Sequence, residues 1–167
     1  PFENVANTDF SREPARQKML DALSAARTGL GREYPLIIGG ERVTTGKWFE
    51  SLNPSRPAEI VGRVAMADTR MIDRAVAAAQ KAFAGWRKTT DEERAAILTG
   101  VAERLEANRF DLAALMSMEC GKPWREADAD VSEAIDFCNF YAKEMIRIGD
   151  HVRRRDIEGE TNEYFYT

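Results

Sequence analysis

The sequence predicts an α/β fold, on the strength of three observations. The composition is typical of a globular protein, with 44% hydrophobic and 31% charged residues. A Gly39-Gly40 pair separates two short strand-like runs, which indicates a tight turn because glycine accepts the positive φ that such turns need. Longer segments carry apolar residues at the three-to-four-residue spacing of amphipathic helices. A chain of 167 residues is also long enough to bury a sizeable core.

Four helices are predicted, and the first two begin at capping residues. We expect Ser11 to cap the first helix, with Pro14 in its first turn, where a missing N–H costs little. Gly29 ends this helix. The second helix follows Asp68, and its apolar stripe predicts a core face formed by Ile72, Val76, Ala79, Phe83 and Trp86.

The third and fourth helices are separated by Gly121. The third opens with Thr90 and Glu93 in a capping-box arrangement and is predicted to continue to Gly121. The fourth starts near Pro123 and continues to about residue 148. The predicted core stripe of the third helix is Ile97, Val101, Leu105, Leu112, Leu115 and Met116.

Short strands are predicted between the first and second helices, at residues 36–38, 41–43, 48–52 and 60–65, and they would form a small antiparallel sheet. The Asn53-Pro54 pair ends the third of these strands and separates it from the fourth. A further strand is predicted over Thr161–Thr167, where Tyr164, Phe165 and Tyr166 favour extended structure. The sequence stops within that strand, which predicts a larger protein.

Composition also sets expectations about partners and compartment. A formal net charge of −4 gives no broad electrostatic basis for binding nucleic acid, and no apolar run approaches the roughly 20 residues that span a bilayer. Cys120 and Cys138 imply no disulfide framework, and no signal-peptide pattern is evident. We therefore expect a cytoplasmic protein.

No complete catalytic site is evident among the reactive residues. Cys120 and the single histidine, His151, are far apart in sequence, and a cysteine nucleophile needs a base within hydrogen-bond reach. We expect both cysteines to be small packing residues. Gly29-Leu30-Gly31 follows a helix, and Tyr34 occupies the third glycine position, so the segment does not fit a dinucleotide fingerprint.

An acidic cluster on the fourth helix does not match a metal loop. A calcium loop starting at Asp128 needs glycine at its sixth position and glutamate at its twelfth. Glu133 and Asn139 stand there instead, so we interpret the cluster as a charged helix face and predict no metal site.

Glu133 is the one candidate site residue. The fourth helix has its main apolar stripe at Val131, Ala134, Ile135, Cys138, Ala142 and Met145. Glu133, Phe137 and Phe140 lie on another side, and a helix with two apolar stripes is expected to be enclosed by more protein. Desolvation beside two phenyl rings would favour a role as proton acceptor or as partner of an ammonium group. A purely structural carboxylate remains the alternative.

Several short motifs, taken in order, resemble the N-terminal part of the aldehyde dehydrogenase superfamily. Each motif is weak alone, and their order and spacing carry the resemblance. They are YPLIIGG at 34–40, Asn53-Pro54, Gly62, Val64, AVAAAQKAFAGW at 75–86, Arg94 and Glu119-Cys120-Gly121-Lys122. The resemblance implies a dehydrogenase-like α/β segment with about four helices and a small antiparallel sheet, whose parallel nucleotide-binding core is mostly absent.

Within the superfamily, the chain is most similar to the L-glutamate γ-semialdehyde (1-pyrroline-5-carboxylate) dehydrogenases. The long first helix, residues 127–137 and residues 162–166 carry this closer resemblance. It implies NAD-dependent oxidation of the semialdehyde to glutamate, the second step of proline breakdown. It places the nucleophile, the water-activating base and the NAD-binding residues beyond this chain, so we expect the chain alone to be inactive.

The same resemblance assigns roles within the chain. Glu133 matches a glutamate on a helix that lines the aldehyde tunnel, whereas Cys120 does not match the nucleophile. Residues 1–150 would form the helical and hairpin part of the fold, and residues 151–167 the start of an arm that pairs with a neighbouring subunit in a homo-oligomer. The alternative is a stand-alone, non-enzymatic assembly or regulatory module derived from the same superfamily.

Overall fold

The computed structural model describes residues 2–149, 152–153 and 157–164. Five helices and seven short strands lie in these ranges. The helices are α1 (Glu13–Thr28), α2 (Thr69–Trp86), α3 (Asp91–Ala107), α4 (Arg109–Cys120) and α5 (Trp124–Gly149). The strands are β1 (Arg32–Tyr34), β2 (Leu36–Ile38), β3 (Glu41–Val43), β4 (Trp48–Asn53), β5 (Arg56–Ala65), β6 (Val152–Arg153) and β7 (Glu163–Tyr164).

The predicted antiparallel sheet is confirmed in the pairing of β4 with β5, and β1 adds a parallel strand on the other side of β5. The sequence did not predict β1, whose three residues are polar or aromatic and all exposed. Strands β2 and β3 form a separate hairpin. Its two turn residues, Gly39 and Gly40, have φ angles of 59° and 85°, so the predicted glycine turn is confirmed.

Helix α1 begins differently from the prediction. Arg12, not Ser11, occupies the N-cap position, and the Ser11 hydroxyl donates to Asp9 Oδ1 at 2.6 Å instead of capping the helix. The predicted caps of the next two helices are confirmed. Asp68 accepts from the Met71 backbone N–H at 2.9 Å, and Thr90 and Glu93 form the reciprocal capping box.

The helix predicted over 90–121 is in fact two helices, so the described residues form five helices where the sequence predicted four. Asn108 separates α3 from α4 with φ −108° and ψ 18°, and its side-chain Nδ2 donates to the Arg104 carbonyl at 2.7 Å. Asparagine competes for backbone hydrogen bonds in this way and so favours helix ends. Gly121 ends α4 at φ 68°, as predicted.

The core lies between α1, α3, α4 and α5. It is built mainly from small side chains, which let the helices approach closely. Its buried members are Met19, Ala22, Ala102, Ala113, Ala114, Ala127, Val131 and Ile135. Leu105, Leu112, Met116 and Cys138 pack against this cluster, in agreement with the predicted stripes. No helix in the described ranges is long and apolar enough to cross a membrane.

The prediction that α2 has a core face is wrong. Within the part of the chain that the structure describes, this helix buries none of its residues. Phe83 is 55% exposed, and Ile72, Val76 and Trp86 are exposed as well. Ile97 and Val101 of the α3 stripe are also exposed. An apolar stripe identifies which face avoids water but does not identify what covers it.

Candidate functional site

The first residues of the chain form an extended segment that lies along α5, which we call the N-terminal strap (residues 2–10). Two aspartates of α5 hold it. Asp136 accepts from the Val5 backbone N–H at 2.8 Å and from Asn4 Nδ2 at 2.9 Å. Asp128 accepts from the Thr8 backbone N–H at 2.7 Å and from the Thr8 hydroxyl at 2.6 Å. The strap is therefore fixed at two points about two helical turns apart.

Asp128 is also the centre of a buried charged network. Its side chain is paired with Arg109, whose Nε and Nη2 donate to the two carboxylate oxygens at 2.7 and 2.8 Å. Arg109 Nη2 also donates to the Ser132 hydroxyl at 2.6 Å and to the Ala6 carbonyl at 3.0 Å. Asp128 is only 1% exposed and Arg109 only 7%. The pair therefore ties α4, α5 and the strap together in the interior of the protein.

The charge states of this pair follow from its contacts. Burial alone raises the pKa of the Asp128 carboxyl, but the hydrogen bonds from Arg109 and Thr8 outweigh burial and hold its pKa below the usual value. The same hydrogen bond to Asp128 raises the pKa of Arg109 above its usual value. Both groups are thus charged at neutral pH.

The strap and α5 border an open groove with a volume of about 670 Å³. Phe2, Asn4 and Val5 line it from the strap, and Glu133, Phe137 and Phe140 line it from α5. The Phe2 and Phe140 rings meet edge to face with centroids 5.6 Å apart. The groove thus combines carboxylate, amide and aromatic groups, which together favour a cation attached to an apolar stem.

The structure brings Glu133, Phe137 and Phe140 to one groove, as their spacing on the helix requires. The expectation that Glu133 is buried is wrong for the described residues. Glu133 is exposed, and the neighbouring Phe137 is 51% exposed. Within residues 2–149, 152–153 and 157–164, Glu133 makes no hydrogen bond or ion pair. Its carboxylate is therefore available to a ligand.

The interpretation of the acidic cluster as a charged helix face is wrong for Asp128, which is fully buried, and incomplete for Asp136, which holds the strap. Asp130 forms an ion pair with Lys122. Asp128, Ser132 and Asp136 recur every four residues, so they share one side of α5. This spacing is the sequence feature that could have indicated a common polar contact for the three residues. Among the described residues, no group of three or more histidine, cysteine, aspartate or glutamate side chains is arranged to hold a metal ion.

The two cysteines differ in their surroundings. Cys138 is half-buried and packs against the core, which confirms the packing prediction for that residue. Cys120 is exposed at the end of α4, so the packing prediction for it is wrong. His151 lies outside the described residues.

The glycine-rich segment at residues 29–31 does not have the geometry of a dinucleotide site. Gly29-Leu30-Gly31 joins α1 to β1, which is the reverse of the strand-to-helix order that places a pyrophosphate at a helix N-terminus. The Gly31 N–H is already used, since it donates to the Ile60 carbonyl at 2.9 Å. These residues therefore do not fit NAD.

Comparison with known proteins identifies the family. The model of the aldehyde dehydrogenase family matches residues 42–167. The 1-pyrroline-5-carboxylate dehydrogenase of Geobacillus sp. (strain WCH70) is 43% identical over 99% of this chain and 32% of its own length. The chain belongs to the aldehyde dehydrogenase family.

Solved structures agree in fold. The 1-pyrroline-5-carboxylate dehydrogenase from Thermus, solved with bound NAD, superposes with a TM-score of 0.91 at 42% identity, over 99% of this chain and 32% of that protein. Proline utilization A (PutA) from Bdellovibrio bacteriovorus superposes with a TM-score of 0.92 at 38% identity, over 99% of this chain and 17% of that one. The fold is thus that of the N-terminal portion of an aldehyde dehydrogenase. The chain spans about a third of the length of the curated relatives it matches.

Proposed function

We propose that this chain forms the substrate-side part of an NAD-dependent dehydrogenase that oxidises L-glutamate γ-semialdehyde, the open form of 1-pyrroline-5-carboxylate, to glutamate in proline degradation. The observation that carries the proposal is the 43% identity, over 99% of this chain, to a relative named for that substrate. NAD and the nucleophile would be bound and supplied by parts of the protein beyond these 167 residues.

Glu133 is the residue that we assign to the substrate. The semialdehyde carries an α-ammonium group, and Glu133 offers an exposed carboxylate with no partner in the described ranges. Phe137 and Phe140 line the same groove, and their ring faces attract cations and cover the short carbon chain. A carboxylate among aromatic rings is thus suited to bind an ammonium group and to leave the aldehyde end free to reach the nucleophile.

We further propose that residues 151–167 begin an arm for a homo-oligomer, following a first part formed by residues 1–150. In support, β6 pairs antiparallel with β7, with Val152 opposite Tyr164. Tyr164 is exposed and belongs to a segment of high β-propensity. A reducing, cytoplasmic setting belongs to the same proposal, since both cysteines are free thiols.

The proposal is tested by NAD reduction, followed spectrophotometrically, with the complete protein and with residues 1–167 alone. We expect the complete protein to reduce NAD when 1-pyrroline-5-carboxylate is added, and residues 1–167 to show no reduction above a blank without aldehyde. Failure of the complete protein to oxidise this substrate would contradict the proposed activity. Turnover by residues 1–167 alone would contradict the assignment of the chemistry to parts beyond this chain.

A further inference from the structure

The Asn4 side chain has a fixed orientation in the groove. Its Nδ2 donates to Asp136 Oδ2 at 2.9 Å, and because a carboxylate only accepts, the amide nitrogen must be the atom on that side. The amide oxygen of Asn4 then points away from Asp136. Within the ranges that the structure describes, this oxygen accepts no hydrogen bond, so Asn4 offers a fixed acceptor to whatever occupies the groove.

The position of Asn4 is held by more than its own side chain. The next residue, Val5, donates its backbone N–H to the second oxygen of Asp136 at 2.8 Å. Farther along the strap, the Ala6 carbonyl accepts from buried Arg109, and Thr8 is held by Asp128. The strap side of the groove is therefore held at several points, which lowers the entropic cost of binding a ligand there.

The strap is also separate from the part of the chain that defines the family. The family model begins at residue 42, so residues 2–10 lie outside it. In contrast, relatives named 1-pyrroline-5-carboxylate dehydrogenase align over 99–100% of this chain and therefore include the strap. A segment that these relatives share, and that the family model does not contain, is better suited to select a substrate than to perform the chemistry common to the family.

We infer that the groove-lining residues of the N-terminal strap form a specificity-determining wall, in which the Asn4 amide oxygen and Glu133 together receive the α-ammonium group of the substrate. This inference rests on the proposed function. An ammonium group has three N–H donors, so it can satisfy the Glu133 carboxylate and the Asn4 oxygen at the same time. Asp136 is the positioning residue, because it orients the Asn4 amide, and Phe2 lines the same wall.

The test uses the complete protein and two aldehydes that differ only in the amino group. One is L-glutamate γ-semialdehyde, supplied as 1-pyrroline-5-carboxylate, and the other is 5-oxopentanoate. Each variant is compared with the wild type on the same substrate, so the spontaneous ring closure of the amino aldehyde cancels. Asn4→Ala is the main variant, Asp136→Asn tests the positioning role, and Glu3→Ala is the control, an exposed strap residue that does not line the groove.

We expect Asn4→Ala to lower kcat/KM for the amino aldehyde about tenfold, mainly through KM, and to change kcat/KM for 5-oxopentanoate less than about twofold. Asp136→Asn should show the same selectivity, and Glu3→Ala should match the wild type on both substrates. Equal losses on the two substrates would overturn the inference, because they would indicate a merely structural strap. Unchanged kinetics of Asn4→Ala would overturn it as well.

The outcome for Glu133→Gln separates the two proposals. If Glu133→Gln is selective for the amino aldehyde but Asn4→Ala is not, the inference about the strap fails and the proposed function stands. If the wild-type protein does not oxidise the amino aldehyde at all, the proposed function fails and the inference fails with it.

Discussion

Replacing Arg109 with methionine is expected to lower the free energy of unfolding by about 3–5 kcal/mol, the usual cost of leaving one member of a buried ion pair without its partner. Asp128, 1% exposed, would keep its hydrogen bonds from Thr8 but lose both bonds from the guanidinium. Water cannot replace those bonds without opening the contact between α4 and α5. The Ala6 carbonyl would lose its donor too, which would loosen the strap.

Denaturant unfolding of the wild type and the variants, followed by circular dichroism, measures this effect. Arg104→Met is the matched control, because it removes an exposed arginine near the end of α3 and should change the free energy of unfolding by less than about 0.5 kcal/mol. Adding Asp128→Asn to Arg109→Met removes the unpaired charge and should restore part of the loss. A loss below about 1 kcal/mol for Arg109→Met would contradict the importance we give to this network.

The second large effect is expected for Glu133→Gln in the complete protein. It should lower kcat/KM for L-glutamate γ-semialdehyde by about 10–100-fold, because a hydrogen bond between two charged groups is worth about 1.5–3 kcal/mol. The free energy of unfolding should hardly change, since Glu133 is exposed and makes no ion pair in the described part of the chain. The glutamine keeps the size of the side chain and removes only its charge.

A second aldehyde and a control variant test whether the loss depends on the amino group and on Glu133. Oxidation of 5-oxopentanoate, which lacks the amino group, should be nearly unaffected by Glu133→Gln. Glu126→Gln is the control variant, because Glu126 is an exposed residue in the first turn of α5 that does not line the groove. Equal impairment with both aldehydes would mean that Glu133 does not recognise the ammonium group.

Features that depend on neighbouring residues could be predicted from the sequence. The Gly39-Gly40 turn follows from the positive φ that two adjacent glycines allow. The Asp68 cap and the Thr90–Glu93 capping box each join a side chain to a backbone N–H three residues away. The spacing of Glu133, Phe137 and Phe140 likewise predicts that these side chains share one face of α5, and all three line the groove.

Features that depend on distant residues could not be predicted in this way. The contact between Thr8 and Asp128 joins residues 120 positions apart, so nothing local showed that Asp128 is buried. Asn108 interrupts a stripe whose apolar spacing continues on both sides of it, which made two helices look like one. The stripe of α2 predicted an apolar face correctly but placed it in a core that the described residues do not provide.

The position of bound L-glutamate, the product of the proposed reaction, tests the central claim most directly. A crystal structure of the complete protein with L-glutamate should place its α-ammonium nitrogen about 2.7–3.2 Å from a carboxylate oxygen of Glu133, within the groove between the strap and α5. L-glutamate bound with its ammonium group on other residues, and with Glu133 facing solvent, would contradict the assignment of this groove to the substrate.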